Sequence, residues 1–359
     1  MRRSHYWFGI AFVVAIAGLS NGVGIVPPDH YRRLAENPYT IRSDIAPDNY
    51  WQESVLLPVL ANLAGLTLPH QFYGLCLLAI LLGALYLAGR LRDPSDPGLS
   101  LALFTLMAFS PLTIVMLSWL GMPDCITFIL TAVALFTRSA PVLFAVCLLG
   151  ALNHPAILFG VAGVMALRAG SGENAVGRRH YLACIAGFTL GTLGVKLFHL
   201  AFGIEAMSRL DFVLMRPPGE WLQMNASHVG MRIFSLLGCL WPPLAIATVM
   251  LYRRDRRYAL ALVMLMLAYA VITFFTEDTT RVFILMAWGA ALHALVRYAR
   301  TVEAKQLRQA RLVLLLSAAF SPLYPRCYAW RDSIVPAPRN GLRMVERAAR
   351  ELPISPSGR

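Results

Sequence analysis

Long apolar runs fill this chain, and arginines cluster at every second break between them. That pattern, more than any motif, limits what the chain can fold into. The runs are about 15–25 residues long and continuous rather than alternating, which is the signature of helices that meet lipid. Of the 359 residues, 57% are hydrophobic and 14% charged, whereas soluble domains carry about 25% charge. A soluble core cannot hide so much apolar surface, so the bilayer must act as solvent. Backbone groups in lipid need internal partners, which leaves helices or a closed barrel. The expected class is all-α: a polytopic helical membrane protein with no large soluble domain.

The formal net charge is +13, carried mainly by arginine, with Lys196 and Lys305 the only lysines. Basic residues in short loops follow the positive-inside pattern, so the charge reads as a topology signal and no nucleic-acid partner is expected. Arginine-rich, lysine-poor usage suits a GC-rich bacterium, and hence a multi-pass protein of the cell inner membrane. The six cysteines are scattered, mostly in apolar runs, with no CxxC and no metal-ligand spacing; they read as small hydrophobes. The opening 26 residues resemble a signal peptide without a convincing cleavage site, and they read as an uncleaved first helix.

The arginine pairs set the expected topology. Arg2 and Arg3 place the start of the first span, Tyr6 to Val26, in the cytoplasm. Residues 27–53 then lie outside. Ser54 to Leu68 is short for a span and reads as an interfacial helix, with a short true span as the alternative. Further spans are expected at Gln71–Ala88, Leu99–Trp119, Cys125–Phe136, Pro141–Leu167 (broken at Asn153-His154-Pro155), Tyr181–Phe202, Ile233–Tyr252 (kinked at Pro242-Pro243), Tyr258–Phe275, Val282–Ala299 and Leu312–Tyr324. Counting the broken run as two gives about eleven, with the N-terminus inside and the C-terminus outside. The transmembrane domain covers 1–325, with outer loops 27–53 and 203–232, and 326–359 form a short extramembrane tail.

On this topology the polar residues gather at the outer face. The stretch 27–53 holds five carboxylates, Asp29, Glu36, Asp44, Asp48 and Glu53, and three arginines. Asp124 opens a helix after Pro123, His154 sits in the helix break, and Asp278 and Arg281 lie in the turn TEDTTR, residues 276–281. Titratable groups at membrane-helix ends are costly, which makes a functional role the default. Structural roles compete: capping for Asp29 and Asp124, backbone satisfaction for His154, and a local ion pair for Asp278 and Arg281. An outward-facing carboxylate can act as general base on a sugar hydroxyl, and a nearby arginine can clamp a phosphate. No P-loop, GxSxG, HExxH or dinucleotide fingerprint is present, so a substrate delivered in the membrane fits better than a soluble nucleotide sugar.

At these residues the chain resembles the GT-C superfamily of integral-membrane glycosyltransferases, which use polyprenyl-phosphate-linked sugars. The resemblance rests on an early outer Asp (Asp29 in PPDHYRRLAENPY), on Asn37-Pro38-Tyr39 followed by Leu57-Pro58-Val59-Leu60, on Pro123-Asp124 opening a short helix, and on DTTRVF from Asp278 to Phe283. It departs at Asn153-His154-Pro155, where many members carry Arg/Lys-Glu, and in having only about 35 residues after the last span. The resemblance implies sugar transfer from a lipid-linked donor to a glycan or lipid acceptor at the periplasmic face. It implies Asp29 as general base, with Asp44 and Asp48 as competing candidates. Arg281 or Arg32 would contact the donor phosphate, and His30, Tyr31, Asp124, His154 and Asp278 would line the substrate site. Some members need a divalent metal ion. A polysaccharide polymerase and a transporter or flippase of lipid-linked glycans are the alternatives.

Overall fold

The computed structural model describes residues 3–24, 29–42, 49–170, 176–301 and 304–337. Asp44 and Asp48 lie outside them. The regular elements of the described chain are helices apart from one short hairpin. The helices are α1 (Arg3–Asn21), α2 (His30–Glu36), α3 (Leu56–Leu63), α4 (Pro69–Leu91), α5 (Pro97–Ala108), α6 (Pro111–Ser118), α7 (Asp124–Phe136), α8 (Ala140–Asn153) and α9 (Ala156–Gly170). They continue with α10 (Arg178–Phe202), α11 (Arg209–Leu214), α12 (Pro218–Ala226), α13 (Val229–Leu237), α14 (Trp241–Arg254), α15 (Arg256–Thr273), α16 (Thr279–Thr301) and α17 (Ala304–Phe320). Strands β1 (Cys327–Trp330) and β2 (Ser333–Pro336) close the described chain as an antiparallel pair.

Among the described residues, five helical segments are long and apolar enough to cross a membrane, or six if the bent pair α5–α6 counts as one. The run Leu99–Trp119, expected as one straight span, bends by 47° between α5 and α6. Pro111 causes the bend, because its ring cannot sit in a continuous helix. Val229–Arg254, one of the five, runs through α13 and α14, which a 3₁₀ turn joins at Gly238, where φ is +52°. The break at His154 separates α8 from α9, as proline and two polar residues dictate. At eight residues, α3 is only about 12 Å long, far too short to span.

The burial pattern matches a bilayer environment. Helix α16 forms the centre, with 78% of its apolar window buried, against 17% for α10 at the periphery. On α10, Leu182, Ile185, Leu193, Leu197 and Leu200 all face outward. Such a contiguous apolar surface is a liability in water and natural in lipid. Helix α10 still packs closely on α8 because glycines face it. A Cβ on Gly187 would lie 2.3 Å from the Phe144 carbonyl oxygen, and one on Gly191 would lie 2.5 Å from that of Leu148. This small-residue spacing lets membrane helices approach backbone to backbone.

The helices place two polar layers at opposite ends of the bundle. The starts of α4, α7, α9 and α16 and the end of α8 meet at what we term the Asp124 end, with α2, α3 and the hairpin. The ends of α4, α7, α9 and α16 meet at the Arg90 end.

Candidate functional site

The centre of the Asp124 end is an ion-paired triad. Asp124 is the first residue of α7 and is almost wholly buried. Both its oxygens accept from Arg281 on α16: Nε donates to Oδ2 at 2.6 Å and Nη2 to Oδ1 at 2.9 Å. The third guanidinium nitrogen, Nη1, donates to Asp278 Oδ2 at 3.1 Å. The two residues are 157 positions apart, so the pair fixes α7 against α16. A planar fork matches a carboxylate in this bidentate way, and lysine could not. The Arg281 guanidinium also lies over the Trp119 ring, 5.4 Å from its centroid.

Not every polar atom around the triad has a partner. Asp278 Oδ1, Trp119 Nε1 and Asn153 Oδ1 are buried without one. Asn153 meanwhile donates through Nδ2 to the Pro123 carbonyl at 2.8 Å and to Thr127 Oγ1 at 3.1 Å. An orphaned buried polar group is costly and calls for an explanation such as a ligand or water. Burial pushes the Asp278 carboxyl up to about 6, although Arg281 opposes the shift. A carboxyl in that range exchanges protons near neutral pH.

A second layer comes from the loops. Arg209, at the start of α11, donates to Ser54 Oγ at 2.9 Å, lies 3.6 Å from Glu53 and sits over the Tyr50 ring at 5.3 Å. Tyr31 donates to the same Ser54 hydroxyl at 3.4 Å and packs edge-on to Trp51, which also meets the His30 ring at 4.6 Å and the Tyr50 ring at 5.3 Å. Lys196 and His199 near the end of α10 reach the same segment: Lys196 Nζ lies 3.8 Å from Glu53, and His199 Nε2 is 3.1 Å from the Gln52 carbonyl. His154 is buried, and its Nδ1 accepts from the Ala156 amide at 3.1 Å, closing the turn between α8 and α9. The charges of Arg209 and Arg281 both bear on this ring.

Asp29 stands beside this assembly rather than inside the triad. It occupies the N-cap position of α2, yet its side chain makes no capping hydrogen bond. Its carboxylate instead accepts from Arg32 Nε and from the Tyr73 hydroxyl of α4. Arg32 also pairs with Glu36 at 2.5 Å. The Asp29 side chain keeps about a quarter of its surface open. Tyr73 in turn packs against Gly121, where an added Cβ would meet its ring at 2.8 Å. Gly121 adopts φ +100° and belongs to the turn that delivers Asp124, so one turn supports both the Asp29 group and the triad.

The hairpin closes this end. The Trp119 ring lies edge-on to Tyr328 and Trp330, at 6.0 and 5.9 Å. Arg331, in the hairpin turn, donates its amide to the Glu277 carbonyl at 2.6 Å. Arg232 is fully buried and donates to Asn225 Oδ1 at 2.8 Å, to Thr279 Oγ1 at 2.7 Å and to the Arg331 carbonyl at 2.6 Å. It ties α13, α16 and the hairpin together.

Among the residues singled out in the sequence, the structure brings Asp124, Asp278 and Arg281 into direct contact, with His154 within their electrostatic reach. It places Asp29, His30, Tyr31 and Arg32 in the adjoining α2 group. Sequence reasoning missed the participation of Arg209, Ser54, Tyr73 and Trp119. Arg209 and Trp119 carry no local motif, whereas Asn153 is marked by the same break as His154. No group of three or more His, Cys, Asp or Glu among the described residues is placed to hold a metal ion. Comparison with family models and with curated proteins finds no match to this chain.

Proposed function

We propose that the chain is an integral-membrane glycosyltransferase that moves a sugar from a polyprenyl-phosphate-linked donor to a lipid or glycan acceptor. The observation that carries this reading is the convergence at the Asp124 end. Carboxylates at 29, 124 and 278, guanidinium groups at 32, 209 and 281, and the His154 imidazole gather there from distant parts of the chain, on a scaffold of lipid-facing helices. A lipid-linked donor could present its phosphate to the arginines while its chain stayed beside the apolar helices.

The parts suit different roles. Asp124 is almost wholly buried, with both oxygens held by one guanidinium, so no acceptor reaches it: it positions Arg281 and is not the base. Arg281 and Arg209 would stabilise the charge that develops on the departing phosphate. Asp29, partly open and oriented by Tyr73 and Arg32, is the general base that takes the acceptor hydroxyl proton as oxygen attacks the anomeric carbon. Asp278, with one oxygen unpartnered, is the second candidate for that role. The finer topology belongs to this proposal as well: about eleven crossings counted with short and broken ones, a cytoplasmic N-terminus, and the Asp124 end in the periplasm of a bacterial inner membrane.

The test is sugar transfer by the purified full chain in detergent, with a polyprenyl-phosphate-linked sugar as donor and membrane lipid extract as acceptor. Because detergent sustains no gradient, formation of a glycosylated product supports an enzyme and excludes a pure transporter. Repeating the assay with EDTA asks whether a divalent ion is required. Donor left intact with a panel of hexosyl and pentosyl carriers would count against the proposal.

A further inference from the structure

The Arg90 end holds a cavity of about 880 Å³ that the proposed transferase chemistry does not use. Its basic lining is Arg90 of α4, Arg138 in the α7–α8 turn, Arg168 of α9, and His293, Arg297 and Arg300 of α16. Among the described residues, no carboxylate lines it. Two of these arginines are held in place by backbone carbonyls at the end of α7. Arg168 Nη1 donates to the Thr137 oxygen at 2.8 Å, and Arg90 Nη2 donates to that of Phe136 at 3.2 Å. Arg297 pairs with Asp255 at 2.8 Å, from outside the lining.

A topology signal requires arginines near the interface but does not require five of them to surround one space. Arg297 has Asp255 beside it and Arg300 acts on Asp93, while Arg90 and Arg138 face the same space; guanidinium groups gathered around one cavity make it positive, which favours an anion there. Planar guanidinium groups favour phosphate over other anions through paired N–H donors. Tyr86, Phe136, Val142 and Val296 give the cavity an apolar part to its wall, beside the hydroxyls of Thr137 and Ser139. The volume lies within the roughly 300–1,000 Å³ of ordinary ligand sites, far more than a phosphate ion alone fills. A basic rim with a partly apolar wall fits a phosphate joined to a hydrocarbon chain.

We infer that this cavity binds the anionic phosphate headgroup of a membrane lipid, at the bundle end opposite the Asp124 site. The assignment rests on this cavity alone and stands or falls separately from the glycosyltransferase reading.

The test is thermal unfolding of the purified full chain in neutral detergent micelles. The added probes are dioleoylphosphatidic acid, dioleoylphosphatidylcholine or inorganic phosphate. Phosphatidic acid should raise the unfolding midpoint by several degrees over phosphatidylcholine, as ligand linkage requires. The double variant Arg138→Gln/Arg300→Gln should lose that difference. Arg253→Gln/Arg254→Gln, whose positions lie outside the cavity lining, should keep it. Equal midpoints with the two lipids in the unmodified chain overturn the inference, even where the double variant fails to fold. Retention of the full difference by Arg138→Gln/Arg300→Gln overturns it too. An equal shift from inorganic phosphate at the same concentration overturns the lipid source and assigns a free anion.

Discussion

Asp124 and Arg281, 157 residues apart, form a two-point ion pair at 2.6 and 2.9 Å that locks the start of α7 to the first turn of α16. Removing one partner of a buried pair leaves an uncompensated charge, typically at a cost of about 3–5 kcal/mol. Asp278 still accepts from Arg281, so Asp124→Ala should fall near the lower end, about 3 kcal/mol. Arg281→Lys should not restore stability, because an ammonium cannot engage both oxygens. Thermal unfolding of the purified variants in detergent measures both effects, and an Asp124→Ala midpoint equal to that of the unmodified chain would disprove the structural role.

Asp278 sets a pH dependence. Burial raises its carboxyl from 3.8 to about 6 in the folded chain, so the fold favours the protonated form. Its contribution to stability is then fully present below about pH 4 and is lost as pH rises through about 6. The side chain is less than one-fifth exposed, so solvent screening is modest and the effect is at most on the order of 3 kcal/mol. Unfolding midpoints measured between pH 4 and 7 should decline for the unmodified chain. The Asp278→Asn variant should decline less over that range, since it has no carboxyl to ionise at that position.

The α8–α10 contact depends on two glycines. Gly191 faces the Leu148 carbonyl so closely that an added Cβ would sit 2.5 Å from it. That oxygen belongs to a helix backbone and cannot rotate away. Gly191→Val should therefore push α10 off α8 at a cost of about 1–3 kcal/mol. Gly170 has open space around its added Cβ, and Gly170→Ala should be nearly neutral. Parallel unfolding curves distinguish the two.

Which features were legible in the sequence follows from how far each interaction reaches. Apolar runs and alternating arginines are local and periodic, so the helical membrane class could be read directly. The break at Asn153-His154-Pro155 is announced by proline. The bend at Pro111 carries the same signal but lies inside an unbroken apolar run that hides it. The Asp124–Arg281 pair was legible only as co-location, because topology brings both residues to one end without saying that they touch. Arg232 shows the limit: in the sequence it closes a polar outer loop, and in the structure it is a fully buried anchor for the hairpin. Tyr73, the partner of Asp29, lies in an apolar run with nothing to mark it. Asp44 and Asp48 lie outside the described residues.

The most direct measurement is transfer of labelled sugar from a polyprenyl-phosphate-linked donor by purified Asp29→Asn, beside the unmodified chain. A positioned general base is worth roughly 10²–10⁴ in rate. The account predicts a loss of at least about 100-fold in Asp29→Asn, with unchanged elution and an unfolding midpoint close to that of the parent. Transfer at the unmodified rate in Asp29→Asn would contradict the central claim that Asp29 takes the acceptor proton.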